Sequence, residues 1–378
     1  MIDLVIAGKV HLTEISVSNS GMNHDGHYRG ATGSFCKLEW RHHKSDPSTY
    51  PMFRDLVKKS DCSNDGFELD LKMIVDKARN YDDAQYDTPD DEKNVHHMDP
   101  TGFVFHESRC GSTLVANSLA AMDPAANRVY SESAPPVSAV RVCGPDGSHC
   151  PPGRAAELLR DVIYLMGRTN DPNEQHLFFK IQSIGTKAIH VFLEAFPDVP
   201  WIFVYREPVQ IMMSQLAHGV ESANCVHQLR DVPQKTIDAM EEEGKDLDSL
   251  TPVEKCALHL SLLCESALHG LFDSGMMGRP VNYENIVQKL IDHIIPDHFK
   301  VLLTNEGKEN ILEVGSKYSK GRGERQKEWK EDSEQKEKEA TPEVRAAASF
   351  FLQEWYEQLE DESGNEYYNG GGVAEVND

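Results

Sequence analysis

Basic residues are scarce in this chain. Of 378 residues, 38 are Lys or Arg against 62 Asp or Glu, a formal net charge of −24. That balance argues against a nucleic-acid coat and against a protein that clings to anionic membranes. No apolar run approaches the length of a transmembrane helix. The opening MIDLVIAGKVHLTEI is too short and too mixed for the apolar stretch of a signal peptide. No stable membrane insertion and no nucleic-acid partner are therefore expected, and the expected location is the cytoplasm. The eight cysteines form no CxxC pair, which argues against a zinc ribbon. Cys143 and Cys150 bracket GPDGSH, a loop that a disulfide would close in a secreted protein. Asn-X-Ser/Thr is missing throughout, which leans toward a reducing compartment. The His pairs at 42–43 and 96–97 lie in polar surroundings. Adjacent histidines on a strand point to opposite faces, so solvated histidines are expected rather than metal ligands. The phosphate loop GxxxxGK[ST] is also missing.

Two segments carry chemistry. The first is GFVFHESRCGSTLVANSLAAM, residues 102–122. A short apolar strand leads into the turn Arg109-Cys110-Gly111-Ser112-Thr113, and a helical composition follows. Strand, glycine turn and helix present backbone N–H groups and a helix N-terminus to a bound phosphate or sulfate. The cation is Arg109, ahead of the glycine; plain packing and capping would also account for such a turn. The second segment is PWIFVYREPVQIMMSQL, residues 200–216. WIFVY reads as a strand buried on both faces of a parallel sheet. It ends in Arg206, where a magnesium-dependent phosphoryl-transfer enzyme usually has a metal-supporting Asp. Pro208 suits a first helical turn, and Ser214 falls on that helix. Arg206 suits a second anionic group; an exposed Arg206–Glu207 pair with Ser214 idle is the plain alternative.

Together the two segments resemble the sulfotransferases that use 3'-phosphoadenosine 5'-phosphosulfate (PAPS). The resemblance extends over FFKIQSIGTKAIHVFLEAFPDVPWIFVYREP and KYSKGRGERQKEWKEDSEQKEKEATPEVRAAA, and covers roughly residues 100–360. It implies that Arg109, Cys110, Gly111, Ser112 and Thr113 bind the 5'-phosphosulfate, with Cys110 where the family often has Ser. It implies that Arg206 and Ser214 bind the 3'-phosphate. Tyr283, at the end of VNYE, falls where a family tyrosine can contact adenine, although a strand-end Tyr is often ordinary packing. Lys317, Lys320 and Arg322 loosely match a late basic loop that closes on the 3'-phosphate, with Lys320 as the candidate ligand. A solvated charged loop is the alternative.

Sulfuryl transfer moves a group with a single terminal charge and has little need of a metal, so no metal is expected. Lys180 ends the strand LFFK at the carboxyl edge, where ligands bind in parallel sheets, unless it is a snorkelling surface lysine. Cytosolic family members resemble this with Lys-X-His, whose His is the base; here the triplet is Lys180-Ile181-Gln182, and Gln182 cannot take a proton. Glu132, just after a candidate strand, is the expected replacement, with a pKa raised by partial burial. Capping of the following turn by Ser131 and Glu132 is its alternative. His106 and Glu107 are weaker candidates for the base.

The alternation of strands at 102–107, 127–130, 176–181, 200–206 and 279–283 with helices at 111–122, 153–168, 185–196, 208–217 and 252–272 predicts an α/β fold. Its central parallel sheet is flanked by helices, in a P-loop nucleotide-binding arrangement. Residues 1–100 are expected to form an N-terminal appendage and acidic linker, with short helices in YPMFRDLV and LDLKMIVDKARNY. Residues 101–360 form the α/β domain, closed by a long helix begun at Thr341-Pro342, and 361–378 an acidic disordered tail. The expected activity is sulfuryl transfer from PAPS to a hydroxyl or amine on a small-molecule or carbohydrate acceptor. A nucleotide-dependent small-molecule kinase and a non-catalytic nucleotide-binding protein are the alternatives.

Overall fold

The computed structural model describes residues 1–23, 26–85, 88, 94–144, 149–322 and 332–364. Among the described residues ten strands form three sheets. β1 (His11–Val17), β2 (Ala31–Cys36) and β3 (Phe67–Asp70) make an antiparallel sheet in that order. β4 (His96–His97) pairs with β7 (Arg168–Thr169). The central sheet contains β5 (Pro100–His106), β6 (Asn127–Ser131), β8 (His176–Lys180), β9 (Trp201–Tyr205) and β10 (Gly278–Asn282). Its order is β10-β9-β5-β8-β6, and every pairing is parallel. This is the α/β class that the alternation of elements predicts.

The apolar runs of these strands bury both faces. Phe103, Phe105, Phe179, Phe203 and Tyr205 point into one core, and Val104, Phe178, Ile202, Val204 and Val281 into the other. The alternation follows the two-residue period of a strand. The first core also takes in Leu12, Phe35, Trp40, Phe53 and Leu71 from the first hundred residues. Trp40 meets Tyr130 edge-on, with ring centroids 5.2 Å apart, and Tyr130 stacks on Phe179 at 5.1 Å. The N-terminal segment and the parallel sheet thus share one apolar interior.

The short helices expected in the first quarter are Phe53–Lys59 and Leu71–Ala84, the latter capped by Asp70 accepting from the Met73 N–H. Of the expected linker, residues 86, 87 and 89–93 lie outside the described residues; its start completes the helix Leu71–Ala84 and its end holds β4. The antiparallel sheet is not foreseen, because β2 carries Gly33 and Ser34, poor strand formers, and β3 has only four residues. The helix expected after Pro342 breaks at Leu352 into Pro342–Phe351 and Gln353–Gly364. The second half then docks on the sheet edge, where Tyr205 and Asn282 donate hydrogen bonds to Glu360. It also carries residues 361–364, given above to a tail whose remainder, 365–378, lies outside the described residues. Among the described residues no helix is long and apolar enough to cross a membrane.

Two further expectations are corrected. His43 is buried rather than solvated: it lies on the helix Trp40–Ser45, not a strand, and turns in against Trp40 with its Nδ1 3.2 Å from the Tyr50 carbonyl. Six cysteines are paired, as Cys36–Cys62, Cys143–Cys150 and Cys225–Cys256, and only Cys110 and Cys264 remain thiols. Three disulfides belong to oxidising surroundings, the opposite of the reducing compartment suggested by the missing sequons. Protein produced in an oxidising compartment, unfolded without reductant and alkylated, is expected to carry label on Cys110 and Cys264 alone. Peptide mass spectrometry checks this, and label on any of the other six refutes the pairing.

Candidate anion-binding site

Because the central sheet is parallel, its carboxyl ends lie along one edge, where α/β sheets bind ligands. The turn after β5 holds Arg109 and Gly111. Glu132 follows β6, Lys180 closes β8, Arg206 follows β9 and Tyr283 follows β10. The candidate residues that the sequence scatters over 175 positions are gathered there by topology.

The turn is tightly curled. Ser108, Arg109 and Gly111 have φ of 69°, 55° and 86°. Such left-handed angles are costly for non-glycine residues and cluster at functional sites. The Ser108 N–H donates to His106 Nδ1 at 2.9 Å, which fixes the start of the turn. At Gly111 the need for glycine is steric as well, since a Cβ there would come within 2.3 Å of the Tyr283 ring. Gly111 is also the N-cap of the helix Ser112–Met122, whose first N–H groups, at Ser112 and Thr113, precede its first internal bonds. Ser112 and Thr113 open that helix and are nearly buried. Cys110 faces the other way: its thiol donates to the Val204 carbonyl at 3.0 Å. Burial pushes that thiol up to about 12, so Cys110 offers a ligand only its backbone.

The two motifs meet directly. Arg109 Nε donates to Ser214 Oγ at 3.2 Å. The Arg206 guanidinium stacks over the Tyr283 ring, 4.4 Å from its centroid. It also donates to Gln210 Oε1 at 2.9 Å, to Ser333 Oγ at 2.8 Å and to Asp332 Oδ1 at 3.2 Å. Asp332 in turn accepts from Lys336 at 2.7 Å. Burial holds Lys336 below the usual lysine value, and the positive charges of Arg206 and Arg109 act in the same direction. Lys336 is a cation of this site that no motif marks. Beneath Arg206, the carboxyl of Glu107 accepts the Arg206 backbone N–H at 2.6 Å. Burial raises Glu107 to about 8, and it faces the core beside Cys264 rather than the site, which removes it as a base.

Glu132 departs from expectation. It lies in the left-handed region at φ 57°, and its carboxylate is ion-paired with the buried ammonium of Lys180. Burial, the largest single influence, would raise its pKa, but Lys180 together with His106 and Lys320 outweighs burial and the value falls to about 2, where a raised one was expected. His106 is buried with its Nε2 3.8 Å from Glu132 Oε1, and burial holds the imidazole well below its usual value. Gln182 donates to the Glu132 carbonyl at 3.2 Å and so braces that residue. Lys320 lies close enough to feel Lys180, Glu132 and Arg109, and burial brings it down to about 8. Lys317 is elsewhere, paired with Glu313.

A cavity opens beside each motif. One, of about 700 Å³, is lined by Leu114, Arg206, Gln210, Tyr283, Ile286 and Ser333, among others. The other, of about 880 Å³, is lined by Ser108, Arg109, Glu132, Gln182, Lys320 and Arg322 on the sheet side. Thr13, Met52, Phe53, Arg54 and Lys58 of the first hundred residues complete its wall, a role for which they have no sequence motif. Among the described residues no group of three or more His, Cys, Asp or Glu is placed to hold a metal ion.

No family model and no curated protein matches the chain. Among solved structures it is similar to a sulfotransferase from Alicyclobacillus acidocaldarius, at 12% identity and a TM-score of 0.38, covering 71% of this chain and 97% of that one. A sulfotransferase domain from the Synechococcus PCC 7002 olefin synthase matches at 13% and 0.38, covering 68% and 95%. A sulfotransferase domain from the curacin biosynthetic pathway matches at 11% and 0.38, covering 67% and 98%. The class of this protein rests on its own sheet: an α/β protein whose parallel sheet gathers cationic side chains along one edge.

Two substitutions probe the geometry. Gly111→Ala strains a left-handed position and drives a methyl into the Tyr283 ring, an expected loss of about 1–3 kcal/mol of stability; thermal denaturation checks it, and an unchanged Tm refutes the packing. Lys180→Met removes the dominant lowering charge while burial remains, so the Glu132 carboxyl is expected to rise from about 2 past its ordinary 4.5. Carbon-13 NMR titration reads that value. Since the folded value lies below the unfolded one, the ion pair stabilises the wild-type fold above about pH 4.5. That stability fades as the pH falls toward about 2.

Proposed function

We propose that this chain is a PAPS-dependent sulfotransferase acting on a hydroxyl or amine acceptor. The observation that carries the proposal is the junction of the two motifs, in which Arg109 of the first donates to Ser214 of the second and Arg206 stacks on Tyr283. Two anion-binding turns are thereby held beside a cavity large enough for a nucleoside. Arg206, Ser333 and Lys336 would hold the 3'-phosphate, which offers Arg206 a stronger partner than Asp332. Tyr283 and Leu114 would flank the base. The N–H groups of residues 110–113, with Arg109 and Lys320, would hold the phosphosulfate. When bound, the donor supplies a sulfuryl group on a phosphate leaving group.

The chain's own residues account for the remaining chemistry. Glu132 receives the proton of the acceptor group. Lys180 holds Glu132 ionised at rest, and a donor anion beside Lys180 would draw the ammonium away. Without its partner, Glu132 would rise into the range where burial makes it an effective base. Arg109 and Lys320 stabilise the charge that builds on the leaving phosphate. The resting ion pair and Gln182 also favour a second reading, a nucleotide-binding protein that does no chemistry.

Calorimetry and turnover separate the two readings. The 3',5'-bisphosphate is expected to bind and ATP and GTP to bind weakly. Glu132→Gln is expected to keep that affinity and lose about two to four powers of ten in sulfuryl transfer. Failure of the bisphosphate to bind overturns the donor assignment. Normal binding with no transfer to any acceptor class supports the second reading.

A further inference from the structure

The cavity beside Glu132 has a charge opposite to that of the chain. Among its described lining residues are the cations Arg54, Lys58, Arg109, Lys320 and Arg322 against one carboxylate, Glu132, in a protein with a net charge of −24. Some of these cations are committed: Arg322 Nε lies 3.2 Å from both carboxylate oxygens of Asp55, and Arg109 holds Ser214. Arg54 and Lys58 differ. Both are exposed on the helix Phe53–Lys59, and among the described residues neither has a carboxylate partner. They stand four residues apart and so share one face of that helix, where like charges repel and weaken it. An anion bound between them would reverse that cost.

The remainder of the wall is mixed, with Met52, Val57, Ile184 and Ala223 set among polar groups. Gln182, Gln215, Asn224 and Gln228 present amides, and Phe53 is the one aromatic side chain among the described lining residues. His259 lines the same wall, is 2% exposed, and its Nδ1 has no hydrogen-bond partner among the described residues. Burial, with Lys187 nearby, holds it at about 3, so it is a neutral imidazole with an unmet polar atom. A steroid or simple phenol brings no anionic group to Arg54 and Lys58, and a tyrosyl peptide needs an aromatic slot. A ligand with many hydroxyls and a fixed negative charge fits both the amides and the cations.

We propose that the acceptor is an acidic saccharide, a sugar chain bearing carboxylate or sulfate groups, whose anionic group docks on Arg54 and Lys58 while one of its hydroxyls faces Glu132. This deepens the sulfotransferase reading and rests on it for the reaction, though not for the binding.

The test is calorimetry on the full chain without donor. The probes are a uronate-containing tetrasaccharide, the same tetrasaccharide with its carboxylates methyl-esterified, and an acidic tyrosine-containing peptide. The free acid is expected to bind about tenfold or more tighter than the ester, and more weakly as salt rises. The double variant Arg54→Ala, Lys58→Ala, with Tm and bisphosphate affinity unchanged, is expected to abolish the preference, and Lys58→Glu to invert it. Equal binding of acid and ester, a preference that survives the double variant, or tighter binding of the peptide overturns the proposal. If the bisphosphate fails to bind while the acid preference holds, the donor assignment falls and the saccharide site stands.

Discussion

Everything at this site depends on the direction of five strands. A parallel sheet forces each strand to end on the same edge as its neighbours, and each end hands one side chain to that edge. β6 delivers Glu132, β8 Lys180, β9 Arg206 and β10 Tyr283, while the turn after β5 supplies the backbone donors. Positions are fixed by ladder hydrogen bonds and by two apolar faces packed on helices, so the polar groups need no flexible loop to find one another. The junction of Arg109 with Ser214 is a result of this arrangement and not its cause.

Charge is organised on two scales. Over the whole molecule carboxylates dominate, yet within the edge cations are crowded until they shift one another. Lys320 and Lys336 are both held below their usual values, with burial first and neighbouring cations after it. Crowding of this kind costs stability and persists where something anionic relieves it. In the resting protein Asp332 and Glu132 do so, each lying against a cation that the proposed donor would claim. Screening confines the surrounding negative surface to about one Debye length, so an acidic protein can still hold a basic pocket.

What the sequence reveals follows from how local each signal is. The five core strands are legible because WIFVY, LFFK and GFVF are apolar runs of strand length, and Thr251 with Glu254 has the spacing of the capping box that opens the helix Pro252–Ser274. The motif residues Arg109, Arg206 and Ser214 are legible from spacing. The state of Glu132 is not, because it is set by an ammonium 48 residues away in sequence. Nor is Lys336, a cation in a charged run that resembles any solvated helix. Arg54, Lys58 and His259 come from separate elements that meet only in three dimensions. The antiparallel sheet stays hidden because its strands are short and interrupted by glycine and serine.

Phe53 belongs both to the shared apolar core and to the wall of the cavity beside Glu132. Its ring lies 5.2 Å from Tyr130, which stacks on the central strand β8. Reshaping that wall therefore disturbs the interior of the molecule. A change of cavity shape at Phe53 is coupled here to the stability of the fold, whereas Arg54 and Lys58, exposed on the same helix, stand outside that core.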